Sequence, residues 1–290
     1  MVKLTGLSAF PITPVSDGAL NEAIFARMVE RIVAAGCDSV GALGSTGAGP
    51  YLPPDLRDRA VAVAAETVAG RVPLWVGIGA LATADVCRNA RAAEAAGADG
   101  LLLQPVSYQR LTEDEVFHLF ADVAGACGLP ICIYDNPATT GFRFSDELIV
   151  RLSALPSVTA AKRPTPEGEV AADLARLRAQ TDIALGYSAD WGLPEACAAG
   201  ADIFFSVLAG IRPEAVLPVA RAGFNGDAEG ARRLAEPLGP VWDLFRRFGG
   251  YRVAHAIASR DHDMPLLPIR PALPLPDHAT PAPHAALDRI

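Results

Sequence analysis

Short apolar runs alternate with amphipathic stretches along most of the chain. The runs are Leu7–Ile12, Ser39–Leu43, Leu74–Ile78, Gly100–Leu103, Pro130–Tyr134, Val158–Lys162, Ile183–Tyr187 and Ile203–Val207. They show little polar alternation, as expected of parallel strands covered on both faces. Between them, Glu22–Ala35, Leu56–Ala69, Thr83–Ala96, Glu113–Cys127, Asp146–Leu155 and Glu169–Ala179 carry helical periodicity. In the first, Ile24, Met28, Ile32 and Ala35 recur at three- or four-residue steps and draw one apolar stripe. Eight such βα units, at about 28 residues each, predict a closed (β/α)8 TIM barrel. A doubly wound open sheet is the alternative topology.

A short repeat marks three of the joints. Ala34-Ala35-Gly36-Cys37-Asp38, Ala95-Ala96-Gly97-Ala98-Asp99 and Ala198-Ala199-Gly200-Ala201-Asp202 each precede a strand. Glycine there can take the left-handed conformation that ends a helix. After the eighth strand Arg212–Gly223, Asp227–Leu238 and Val241–Ser259 read as helices. The expected organisation is a barrel over 1–225 and a C-terminal helical extension with a Pro-rich tail over 226–290. The last 28 residues hold 7 of the 24 prolines, with Pro265, Pro268, Pro271 and Pro274 at steps of three. That spacing suits a polyproline II ligand. The apolar Leu266, Leu267, Ile269 and Leu273 point instead to a stiff tail packed on the helical extension.

Composition narrows the function. The net charge is −8, which argues against nucleic acid and against anionic membrane as partners. No apolar run approaches the roughly 20 residues needed to span a bilayer, and the first residues lack the apolar core of a signal peptide. Five scattered cysteines with no C-x-x-C pair read as free thiols in a reducing cytosol, so a cytoplasmic location is expected. The histidines have no ligand spacing, and no metal site is expected. Of 25 basic residues only Lys3 and Lys162 are lysine. Arginine stays protonated in proteins, whereas lysine can become a nucleophilic amine.

In a parallel barrel the reactive groups sit where strands end at the carboxyl face. Lys162 ends the sixth run, Val158-Thr159-Ala160-Ala161-Lys162, where burial disfavours the ammonium and favours a neutral amine able to attack a carbonyl. Arg163 should point to the opposite face. Tyr134 ends the neighbouring run, and its phenol can relay protons. The loop Gly41–Gly49 offers glycine-exposed N–H groups and the hydroxyls of Ser45 and Thr46, suited to a carboxylate or phosphate. It lacks the Gly-Lys-Ser/Thr ending of a nucleotide-binding loop. Gly77-Ile78-Gly79-Ala80-Leu81-Ala82 approximates a dinucleotide fingerprint, but the next run ends in Gln104-Pro105 rather than in the acidic residue such a site needs.

Gly44-Ser45-Thr46-Gly47, Tyr134-x-x-Pro137 and Lys162, in this order and spacing, resemble the dihydrodipicolinate synthase/N-acetylneuraminate lyase family. The resemblance runs from about Leu7 through the eighth strand and into the helical extension. It implies a pyruvate-type class I aldolase on a TIM barrel, commonly a homotetramer or homodimer, with no cofactor. It makes Lys162 the lysine that forms a Schiff base with a 2-oxo acid and Tyr134 the acid/base. Ser45 is a relay hydroxyl, and Thr46 and Gly47 belong to the loop that binds the substrate carboxylate. Tyr108 matches a tyrosine lent across a subunit interface, while Gly186 and Phe205 line the pocket near the pyruvate unit.

The chain also departs from the family pattern. The usual Glu after the loop motif is Ala48, followed by Gly49-Pro50 as in some sugar-acid aldolases. The arginine that holds a second carboxylate in dihydrodipicolinate synthases is Thr139. The residue after the lysine, often acidic, is Arg163, and Phe205 is larger than the aliphatic residue usual there. The resulting expectation is a Schiff-base lyase or synthase joining or cleaving a 2-oxo acid, pyruvate, and a small aldehyde or sugar acid. One alternative is a dehydratase or decarboxylase of the same family acting on a 2-oxo-dicarboxylate. Another, from a different class, is a non-catalytic barrel that binds a small acid.

Overall fold

The computed structural model describes residues 4–166 and 168–279, together with 282, 285, 286 and 288. Lys3 lies outside the described residues. Eight parallel strands close into a barrel: β1 (Gly6–Ala9), β2 (Ser39–Ala42), β3 (Leu74–Gly77), β4 (Gly100–Leu103), β5 (Ile131–Tyr134), β6 (Val158–Pro164), β7 (Ala184–Ser188) and β8 (Ile203–Ser206). Each pairs with its sequence neighbour, and β8 closes on β1 from Gly6↔Ile203 to Ala9↔Ser206. This is the (β/α)8 barrel that the periodicity predicts, not the open sheet.

The absence of polar alternation has a direct cause. Outward residues such as Leu7, Val40, Val76, Leu101, Leu103, Ile133 and Leu185 pack under the helices in one core. Inward residues, among them Phe10, Trp75, Leu102, Cys132, Tyr134, Ala160, Ile203 and Phe205, form a second core inside the barrel. Both faces are therefore apolar. The Gly-x-Asp repeats contribute two devices. Gly36, Gly97 and Gly200 take φ of +91°, +89° and +87°, ending their helices. The aspartates then accept an N–H from the first or second residue of a neighbouring strand: Asp38 from Leu7 at 2.7 Å, Asp99 from Leu74 at 2.8 Å and Asp202 from Leu185 at 2.9 Å. Only the glycine half of that device was evident from the repeat.

Some element boundaries differ from the sequence expectation. Strand β1 stops at Ala9, because Pro11 and Pro14 cannot donate to a ladder, and Phe10 to Thr13 continue as buried coil. A small hairpin, Val15–Ser16 with Ala19–Leu20, follows. Strand β6 runs past Lys162 to Pro164, paired with β7 through Arg163↔Tyr187 and Pro164↔Ser188. Lys162 is thus inside the strand rather than at its end. The helix expected over Val241–Ser259 is two, Gly239–Phe248 and Gly250–Asp261, broken where Gly249 takes φ +83°. Pro237 likewise turns the end of the preceding helix into a tighter turn, Glu236–Leu238.

The start of the proline-rich tail packs on the helix Gly250–Asp261. Leu266 is buried, its N–H bonds Ser259 Oγ, and Ile269 N–H donates to Tyr251 Oη. Leu267 and Leu273, expected to pack, are 53% and 51% exposed. The anchor of this contact is His255, whose Nδ1 lies 2.9 Å from the Leu266 carbonyl. Burial pushes the His255 imidazole down from 6.5 to about 4, against the opposing pull of the Leu266 carbonyl. The unfolded chain therefore binds the proton more readily, and stability present above pH 6.5 is lost as pH falls toward 4. The full loss is on the order of 3 kcal/mol. Asp135, pushed up to about 6 by burial, works in the opposite sense over much of the same window. A His255→Asn variant keeps a donor for Leu266 but cannot protonate there. Its unfolding midpoint should fall less than that of the wild type between these pH values, and parallel curves would refute the assignment.

Candidate active site

Strands β5 and β6 bring the two central residues together. Tyr134 and Lys162 are direct register partners, and Lys162 pairs on its other side with Gly186 of β7. Pleat alternation turns Lys162 and Tyr134 into the barrel and Arg163 away from it. Arg163 accordingly bonds Asp173 at 2.7 Å and Asp146 at 3.1 Å under the helices, and Tyr187 Oη donates to the same Asp173. Arg163 therefore lies on the opposite face from Lys162, as expected, with its charge met by two carboxylates.

Lys162 is 5% exposed. Its Nζ lies 3.6 Å from the centroid of the Tyr134 ring, 5.2 Å from that of Phe10 and 5.8 Å from that of Phe205. Aromatic faces stabilise a cationic nitrogen, whether an ammonium or a protonated imine. Gly186 keeps this pocket open: a Cβ there would fall 2.7 Å from the Phe205 ring.

Ser45 connects the loop after β2 to the tyrosine. Ser45 N–H donates to Tyr134 Oη at 3.3 Å, and Tyr134 Oη donates to Ser45 Oγ at 3.2 Å. Asn136 Nδ2 donates to the same Oγ at 3.1 Å, and Thr139 Oγ1 lies 3.4 Å from it. Burial on its own would raise the Tyr134 phenol. Burial is the largest single influence, but the Lys162 charge and the hydrogen bonds from Lys162 and Ser45 together outweigh it, and the net shift is downward. Thr46 is buried in this loop, and the carbonyl of Gly47 accepts from Thr13 Oγ1 at 2.8 Å, which ties the loop to the segment after β1.

The structure thus gathers Lys162, Tyr134, Ser45 and Thr139 in one cluster, with Phe205 and Gly186 beside the lysine. Tyr108 stands apart. It is 90% exposed on the loop after β4, outside the pocket of its own chain. Sequence reasoning missed Phe10, Thr13 and Asn136. Phe10 lay in a run assigned wholly to a strand. Asn136 precedes Pro137, the first residue of the short helix Pro137–Thr140, where an asparagine ordinarily caps; here it makes no cap bond and turns to Ser45.

The dinucleotide-like glycines serve packing. A side chain on Gly77 would strike the Leu43 carbonyl, and a Cβ on Gly79 would lie 2.6 Å from Gln104 Cγ. An open depression of about 530 Å³ at the opposite end of the barrel, between Val158, Thr159, Thr181 and Asp182, is lined by no lysine, cysteine or histidine. Among the described residues no three His, Cys, Asp or Glu side chains converge as a metal site, and no helix is long and apolar enough to cross a membrane.

Comparison with known proteins points the same way as the geometry. The sequence model of the Dihydrodipicolinate synthetase family matches residues 3–290. The 4-hydroxy-tetrahydrodipicolinate synthase 1 of Streptomyces coelicolor is 35% identical over 234 residues, covering 78% of this chain and 75% of that protein. The 4-hydroxy-tetrahydrodipicolinate synthase of Corynebacterium aurimucosum is 34% identical over 248 residues, 84% of this chain and 81% of that one. The crystal structure of a dihydrodipicolinate synthase from Agrobacterium tumefaciens superposes with a TM-score of 0.96 at 46% identity, over 99% of this chain and 98% of that one.

Proposed function

Since this chain belongs to the dihydrodipicolinate synthetase family, we propose that the mouth of its barrel is a class I aldolase site for a 2-oxo acid, pyruvate in the first instance. The observation that carries this reading is the contact of the buried Lys162 with Tyr134, itself bonded to Ser45. The neutral amine of Lys162 adds to the ketone carbon, and loss of water gives an imine. Protonated, that imine draws electrons from the adjacent carbon, which gives up a proton and becomes an enamine. The enamine carbon attacks an aldehyde, Tyr134 delivers a proton to the aldehyde oxygen, and water then releases Lys162. Cleavage runs through the same steps in reverse, with Tyr134 taking the proton.

Ser45 orients the phenol and passes protons to it, while Thr46 and Gly47 belong to the loop that receives the carboxylate. Gly186 and Phe205 bound the space around the imine. Thr139 stands where an arginine would hold a second carboxylate, which favours a small aldehyde or a sugar acid as the other substrate. Tyr108 is assigned to a second copy of the chain, across a dimer or tetramer interface, and its exposure is what that role requires.

Incubation with pyruvate in deuterium oxide tests the reading without a second substrate. Enamine formation exchanges the methyl protons, so the methyl signal in the proton NMR spectrum should fade in proportion to enzyme. Pyruvate that binds without exchange would mean a barrel that holds the acid and does not turn it over.

A further inference from the structure

We propose that Gln104 selects the second substrate by hydrogen-bonding a hydroxyl on it, so that the site prefers hydroxyaldehydes to plain ones. The proposal rests on the aldolase reading above and adds a specificity-determining residue that the family motifs do not contain. Leu102 belongs to the inner core with Cys132 and Tyr134, whereas Leu101 and Leu103 face the helices. Gln104, two residues beyond Leu102, is therefore turned toward the barrel interior. The register Leu103↔Ile133 sets it level with Tyr134, and Gly77↔Leu102 sets Gly79 level with it on the other side. The bare Gly79 leaves the room that the Gln104 side chain occupies.

Gln104 is 3% exposed, yet neither its Oε1 nor its Nε2 has a hydrogen-bond partner among the described residues. Buried amides are ordinarily satisfied, and one left unmet is destabilising, so a partner arriving with the substrate accounts for its place. The amide is neutral and offers one acceptor and two donors. A hydroxyl, which also donates and accepts, can meet either end of it, whereas a carboxylate, which only accepts, would meet the donors alone. Its position fits that role. Lys162 on β6 holds the ketone carbon and Tyr134 on β5 meets the aldehyde oxygen. The aldehyde substituent then extends beyond Tyr134 toward β4, where Gln104 stands.

Glycolaldehyde and acetaldehyde differ by one hydroxyl and serve as the probe pair, each with pyruvate. The wild type should favour glycolaldehyde. Gln104→Met keeps the side-chain volume and removes the amide. It should lower kcat/KM for glycolaldehyde by about 10- to 100-fold and change that for acetaldehyde by less than about twofold. Pyruvate trapped by borohydride on Lys162 should be unaffected. A wild type with no preference between the aldehydes overturns the proposal whether or not the variant folds, and so does a variant that loses both activities equally or neither. Failure to trap pyruvate in the wild type would instead overturn the aldolase reading on which this rests.

Discussion

Lys162→Met is expected to abolish exchange and turnover, by about 10⁴-fold or more, while leaving the fold intact. Methionine fills nearly the same volume among the Tyr134, Phe10 and Phe205 rings and replaces a buried polar amine with an apolar group. The unfolding midpoint should therefore hold or rise. No neighbouring group can replace the amine. Arg163 is directed to Asp146 and Asp173, and the other lysine, Lys3, lies far away in sequence. Residual exchange at near wild-type rate, measured on a variant shown to be folded, would remove Lys162 from the chemistry.

Tyr134→Phe carries the second large effect, of another kind. The ring still packs against Phe10, at 6.5 Å between centroids, and still covers Nζ. What disappears is the hydroxyl, with its bonds to Ser45 N–H and Oγ. Loss of a positioned proton donor costs about 10²- to 10⁴-fold in rate. Imine formation by Lys162 should survive, so borohydride still captures pyruvate while kcat collapses. The pH profile gives a second signature. The phenol must be protonated to act as the acid, and its ionisation is held below the ordinary tyrosine range by Lys162 and Ser45 despite the opposing effect of burial. The alkaline limb should begin at lower pH than an ordinary phenol would set, and that limb should vanish from the residual activity of the variant. An unchanged profile would assign the limb to another group.

Much of this was legible in the chain, for identifiable physical reasons. Strands buried on both faces leave uninterrupted apolar runs, and helix faces leave a 3.6-residue period, so all eight strands could be located. Lys162 stood out because a cation in such a run requires a reason, and Tyr134 because it closes the adjacent run. The illegible part lies in contacts made by residues distant in sequence. Phe10 leaves β1 and inserts beside residues of β5, β6 and β8, a fold-back that no local pattern encodes. Asn136 abandons the cap that its position before Pro137 suggests, because Ser45, 91 residues away, offers an acceptor. Gln104 was read only as the wrong residue for a ribose, and its unmet amide emerges once β3, β4 and β5 are side by side.

The central claim is a covalent bond between Lys162 and a 2-oxo acid, and mass spectrometry of the protein treated with pyruvate and borohydride tests it most directly. The expected result is an irreversible adduct with the mass of reduced, lysine-linked pyruvate, on the peptide carrying Lys162. It should be absent without pyruvate and absent from Lys162→Met. No adduct with any 2-oxo acid, or an adduct on another residue with Lys162 unmodified, would contradict the account.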